Sequence, residues 1–242
     1  MSPHHDLTGV RRPGICAVAL TAVAGYVDAF VFLRVSEVFI ANQSGNLIVG
    51  GMTAAGSDLG DISLPITSVI AYVVGAAAAA ALFDRPSRQG RRRLIDTVAA
   101  VILALVGAAG ALALAGEGHS AGGSSPLVLG VVAATALSMG AQATAVRRTG
   151  GVAVLTTAST GAITTLGVEL GRHRCRLDPA ARTRVSRLVA VVTAYVGGAA
   201  LGAALSLHTG LGPELLLVPC VALVGILVGQ REGAPFDEAP TR

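Results

Sequence analysis

The chain has 242 residues, of which 52% are hydrophobic and 13% charged, with a mean hydropathy of +0.68 and a formal net charge of +4. So few charges on so apolar a chain exclude an ordinary soluble domain and a disordered one, and leave room for about six membrane spans of roughly 20 residues each. All eighteen basic residues are arginines gathered in short segments, a pattern of membrane orientation and not of nucleic-acid binding.

Residues 1–13 are polar and end in Arg11, Arg12 and Pro13. Ala22-Val23-Ala24 has the look of a signal-peptide cleavage site, but the apolar run continues to Leu33, so an uncleaved first span is expected. Apolar segments follow at approximately 15–33, 38–56, 62–83, 94–116, 126–146, 151–171, 187–207 and 213–230. The arginines decide how many of these cross. If 38–56 spans on its own, the segment with Arg85, Arg88, Arg91, Arg92 and Arg93 falls outside, against the positive-inside rule. If 15–56 makes one net crossing, and 126–171 likewise, nearly every arginine falls on one side and only Arg34 departs. The expected fold is therefore an all-α membrane protein with about six net crossings, both termini cytoplasmic, and two broken or re-entrant units. Its organisation is a cytoplasmic segment 1–13, one membrane domain 14–230, and a disordered tail 231–242 rich in Pro and acidic groups.

The membrane domain reads as two repeats, 14–116 and 126–230. A slide of about 116 residues lays Val38 to Asn46 over Val154 to Ala162, and a slightly longer one lays Tyr72-Val73-Val74-Gly75-Ala76 over Tyr195-Val196-Gly197-Gly198-Ala199. Three net crossings per half force the halves into opposite orientations, the inverted-repeat plan of many secondary transporters. The small-residue runs Gly75 to Ala81 and Gly198 to Gly202 suit close helix packing within the chain first and a homodimer second.

Polar residues inside the first unit carry the functional expectation. Asp28 lies roughly 20 Å into the first span at about 1.5 Å per residue, where a carboxylate must be neutral, paired or wet. Either it is a proton or cation site, or it is structural, paired with Arg34 or bonded to a helix end. Asn42, Gln43, Ser44 and Asn46 surround Gly45 and can open a helix whose N–H groups attract anions. The second copy, around Thr160 and Gly161, lacks both Asn residues and any counterpart of Asp28. The expected substrate-binding set is Asp28, Asn42, Gln43, Ser44, Gly45, Asn46, Thr160 and Gly161, with Gly45 and Gly161 close together near mid-depth. Glu169 is expected in an interfacial ion pair with the neighbouring arginines.

The residues Gly25, Asp28, Ala29, Val38, Phe39, Ala41, Asn42, Gln43, Ser44, Gly45 and Asn46 form a pattern that resembles the signature of the YoaK-like family of bacterial membrane proteins, a family of unknown function. The resemblance implies a bacterial inner-membrane protein and supplies no activity. No catalytic constellation stands out, and Cys16, Cys175, Cys220 and the five histidines show no metal-ligand spacing, so no enzyme activity, metal or cofactor is expected. The function expected is a small secondary transporter or permease for a polar or anionic solute, coupled to a proton; the alternative is a non-transporting accessory or sensor protein whose polar motif serves packing.

Overall fold

The computed structural model describes residues 13–57, 61–84, 90–115, 124–149, 159–172 and 178–231. The helices are α1 (Pro13–Arg34), α2 (Gln43–Ala54), α3 (Ser63–Phe83), α4 (Gly90–Ala115), α5 (Pro126–Thr149), α6 (Ser159–Arg172), α7 (Pro179–His208) and α8 (Val218–Arg231), with a 3-10 turn at Pro213–Leu217 leading into α8. Proline opens α1, α5 and α7, where its missing N–H costs nothing. Asp178 caps α7, its side chain accepting the Ala181 N–H at 2.6 Å.

Among the described residues six segments are long and apolar enough to cross a bilayer: α1, α3, α4, α5, α7, and the 3-10 turn continued by α8. The chain is a multi-pass integral membrane protein. With 12 residues α2 reaches only about 18 Å and cannot span, and the described part of α6, 14 residues, covers about 21 Å. The helices differ from the apolar segments at their ends. Residues 35–42 are not helical, because Asp28 and Asn46 take up their backbone groups, so α2 starts only at Gln43. In contrast α4 and α7 begin before their apolar runs, since arginine favours a helix that has left the hydrocarbon as much as one inside it. The terminal segments 1–12 and 232–242 lie outside the described residues.

Side-chain contacts set the direction of each helix. Arg148 of α5 pairs with Asp84 just past α3 at 2.9 Å, so α3 and α5 finish together. Gln142 near the end of α5 donates to the Leu20 carbonyl near the start of α1 at 2.9 Å, which makes α1 and α5 antiparallel. Arg93 at the start of α4 donates to the Phe83 carbonyl at 2.6 Å and lies over its ring, and Gln230 at the end of α8 donates to Cys16. The start of α1, the end of α3, the start of α4, the end of α5 and the end of α8 therefore share one face. Described arginines 92, 93, 147, 148, 172, 182, 184 and 187 lie at this end, and Arg34 at the other, where it donates to the Leu211 carbonyl at 2.9 Å. The core is filled by Leu20, Val27, Phe30 and Val31 of α1, Val132, Ala136 and Met139 of α5, and Leu215, Leu216 and Leu223 of the last segment.

Two helix pairs carry the closest packing, α1 with α7 and α3 with α5. At Gly25 an added Cβ would lie 2.1 Å from the Tyr195 carbonyl oxygen, and at Gly198 it would lie 2.0 Å from that of Ala22. The same contact recurs in the second pair: an added Cβ would lie 2.1 Å from the Tyr72 oxygen at Gly140 and 1.9 Å from that of Leu137 at Gly75. Backbone touches backbone at both crossings, so only glycine fits, and the gain is dispersion and Cα–H···O contact. The small-residue runs thus serve packing within the chain.

Candidate functional site

Asp28 faces away from solvent, 2% exposed, and its two oxygens receive four donors. Oδ1 accepts the N–H groups of Ile40 and Ala41, each at 2.6 Å; Oδ2 accepts the Asn42 N–H at 3.1 Å and the Tyr195 hydroxyl at 2.6 Å. Three successive N–H groups followed by a helix start form a concave anion site with the positive end of α2 behind it. The protein fills that site with its own carboxylate. Of the two structural partners considered for Asp28, the helix end is the one found, while Arg34 is engaged elsewhere.

Just beyond, Asn46 closes the segment on itself. Its Oδ1 accepts the Phe39 N–H at 2.8 Å, and its Nδ2 donates to the Phe39 carbonyl at 2.6 Å, to Gln43 Oε1 at 2.9 Å and to Ser68 Oγ of α3 at 3.0 Å. Gln43 Nε2 donates to the Ile40 carbonyl at 2.8 Å, and Ser68 Oγ donates to the Phe39 carbonyl at 2.7 Å. These bonds supply partners for backbone that could not remain bare at this depth. Gly45 lies beneath Phe39, with an added Cβ 2.6 Å from the ring, and Phe39 stacks on Phe32 with centroids 4.9 Å apart.

Residues 40–42 lie at the level of Asp28, Gly50 packs against Pro65 at the start of α3, and α2 runs antiparallel to α3. The second short helix does the converse: Ala162 packs with Leu188 and Val191, and Glu169 pairs with Arg184 at 3.1 Å, so α6 runs toward the arginine-rich end. Glu169 is in an ion pair, with Arg184 of α7, while most of the adjacent arginine loop expected to pair with it, residues 173–177, lies outside the described residues.

Among the expected site residues, then, the structure joins Asp28, Gln43 and Asn46 in one network with the 40–42 backbone. Asn42 and Ser44 sit at its rim, Ser44 donating to Asn42 Oδ1 at 2.8 Å, with Ser44 exposed. The expectation that Gly45 and Gly161 lie close together is corrected: α2 packs on α3, α6 packs on α7, and the two short helices do not touch. Residues 150–158 and the side chain of Thr160 lie outside what is described. Nor do the two helix starts share one polar site, since Asp28 occupies the N–H groups ahead of α2.

Sequence reasoning did not single out Tyr195 or Ser68 as part of this site. The signal for Tyr195 was its rarity: the chain has three tyrosines, and Tyr72 and Tyr195 head the two matching glycine stretches. Outside the membrane, Asp61 accepts from the Ser63 N–H at 2.8 Å and from the Ser124 hydroxyl, which ties the α2–α3 connection to the start of α5. These bonds, the Ser124 hydroxyl first, hold its carboxyl below the usual carboxylate range.

Residues 16–229 match one protein family, described as protein of unknown function (DUF1275). No curated protein and no solved structure matches the chain.

Proposed function

The chain belongs to the DUF1275 family, whose description assigns no activity, and from its architecture we propose that it is a small secondary transporter built as two inverted halves. The observation that carries this reading is the duplicated crossing: Gly25 and Ala22 meet Tyr195 and Gly198 as Gly140 and Leu137 meet Tyr72 and Gly75. Each pair joins a helix of one half to a helix of the other, as a two-fold axis in the membrane plane requires. Two short helices, α2 packed on α3 and α6 packed on α7, support the same plan. The arginine distribution supports cytoplasmic termini in a plasma membrane. The substrate class proposed is a polar or anionic solute moving with a proton. Asn42 and Ser44, at the rim of the motif, are the members of the set with capacity left for such a solute, and Asp28, Gln43 and Asn46 hold them in place.

A specific observation favours the second reading, a membrane protein that does not transport. Asp28 and Asn46 are buried and their bonds close within the chain, so Asp28 serves architecture without any need for a solute. Uptake and counterflow of a panel of organic anions, amino acids and sugars into proteoliposomes separates the two readings. Transport of at least one solute, reduced by Asn42→Ala, is expected; a protein that is monodisperse, correctly inserted and silent toward the whole panel would sink the transporter.

A further inference from the structure

At the arginine-rich end, a cavity of about 420 Å³ opens between three helices. Its walls are apolar: Ile15, Ala17 and Val18 from α1, Val146 from α5, and Ala190 and Val191 from α7. Two side chains break that character, Ser186 and Arg187, and the Ser186 hydroxyl is spent on the Thr183 carbonyl of its own helix at 3.0 Å. Arg187 lines the mouth, is exposed, and among the described residues has no carboxylate within 4.0 Å, although Arg184 one turn earlier is paired with Glu169.

From this we infer that the cavity is a seat for an anionic phospholipid, with one acyl chain between α1, α5 and α7 and the phosphate on Arg187. Position and charge agree on this occupant. α7 has 30 residues, about 45 Å, so it extends beyond a hydrocarbon core of about 30 Å, and its first turns stand in the headgroup layer. Arg187 shares its cavity with Gly14 and Ile15, the first turn of α1, which fixes it at that level. Ile15 is 60% exposed, so the cavity opens sideways to lipid instead of ending in a closed core. A guanidinium with free donors above an apolar slot matches a phosphate above an acyl chain, and the volume lies in the range of built ligand sites. A purely apolar occupant would leave the cation without a partner, and a small hydrophilic solute would leave the walls unwetted. The inference does not depend on whether the chain transports.

Native mass spectrometry of the full chain in detergent tests it, with palmitoyl-oleoyl phosphatidylglycerol and the matching phosphatidylcholine titrated side by side. One phosphatidylglycerol should be retained in preference to phosphatidylcholine, and Arg187→Gln should weaken its binding about fivefold, the effect of one basic residue at a membrane surface. Arg182→Gln, on the same helix but away from the cavity, should leave it unchanged. Ala190→Phe, which fills the slot, should remove both lipids, and Ala17→Leu serves the same end if that variant does not fold. Equal retention of the two lipids by wild type, or equal loss in the Arg182 and Arg187 variants, would overturn the site. Displacement of phosphatidylglycerol by oleate at equal concentration would overturn the phospholipid as its occupant.

Discussion

Replacing Asp28 by asparagine tests the anchoring of α2 with little change of volume. The amide oxygen can still accept from Ile40 and Ala41, but two charge-assisted bonds become neutral ones, a loss of about 1 kcal/mol each. The amide nitrogen then faces the Asn42 N–H, donor against donor, and a buried orphaned donor costs about 1–3 kcal/mol. Tyr195 can turn its hydroxyl to accept from the amide, so that bond is nearly conserved. The total is about 3–5 kcal/mol, or a hundredfold or more in the folded ratio. Steric trapping in detergent measures that difference directly. Tyr195→Phe removes one charge-assisted bond and should cost about 1.5–3 kcal/mol, and the double variant should fall short of the sum because both act on the same carboxylate. If Asp28→Asn stays within about 0.5 kcal/mol of wild type, the level of an ordinary surface change, the anchoring role is refuted. A proton site gives that opposite pattern, with stability intact and transport lost.

Gly25→Ala and Gly140→Ala place a methyl against a backbone oxygen in matching positions, so each should destabilise by about 1–3 kcal/mol or more, whereas Gly107→Ala, with open space around it, should not; thermal midpoints in detergent provide the comparison. In a Cys175→Ser background, an impermeant maleimide on intact cells should label Glu37→Cys and spare Arg92→Cys, and the reverse would invert the proposed orientation. The depressed Asp61 carboxyl stabilises the Ser124 contact above its unfolded value and loses that contribution as pH falls through its folded value. Asp61→Asn should therefore differ from wild type at neutral pH and converge with it in acid, and a difference that persists unchanged in acid would show that the contact does not depend on the charge.

Much of the fold was legible because hydrocarbon imposes strong rules. The one-sided arginines separated spanning helices from 38–56 and 151–171, and the structure makes a short helix of 43–54 and describes the second segment from 159. The depth of Asp28 was readable for the same reason, since rise per residue converts position into depth. Its partners were not, because Ile40, Ala41 and Asn42 donate through the backbone, which is the same for every residue type. The supposed meeting of Gly45 and Gly161 failed on a related point. Glycine signals a close approach but does not name the neighbour: Gly45 lies under Phe39 of its own segment, and the glycines that bring helices together are those paired with Tyr72 and Tyr195.

The bond from Tyr195 to Asp28 joins residues 167 positions apart, whereas Ile40 and Ala41 lie only 12 and 13 positions from the carboxylate. During synthesis the backbone of 40–42 emerges soon after α1 and can cover the carboxylate while most of the chain is still unmade. Tyr195 arrives only with α7, after α3 and α5 have already become available to each other. The order of insertion therefore assembles the α3–α5 crossing first and leaves α1 waiting for its partner. A ribosome stalled before α7 would hold a first half whose buried charge is already sheltered but whose central helix still shows a bare glycine face to the lipid.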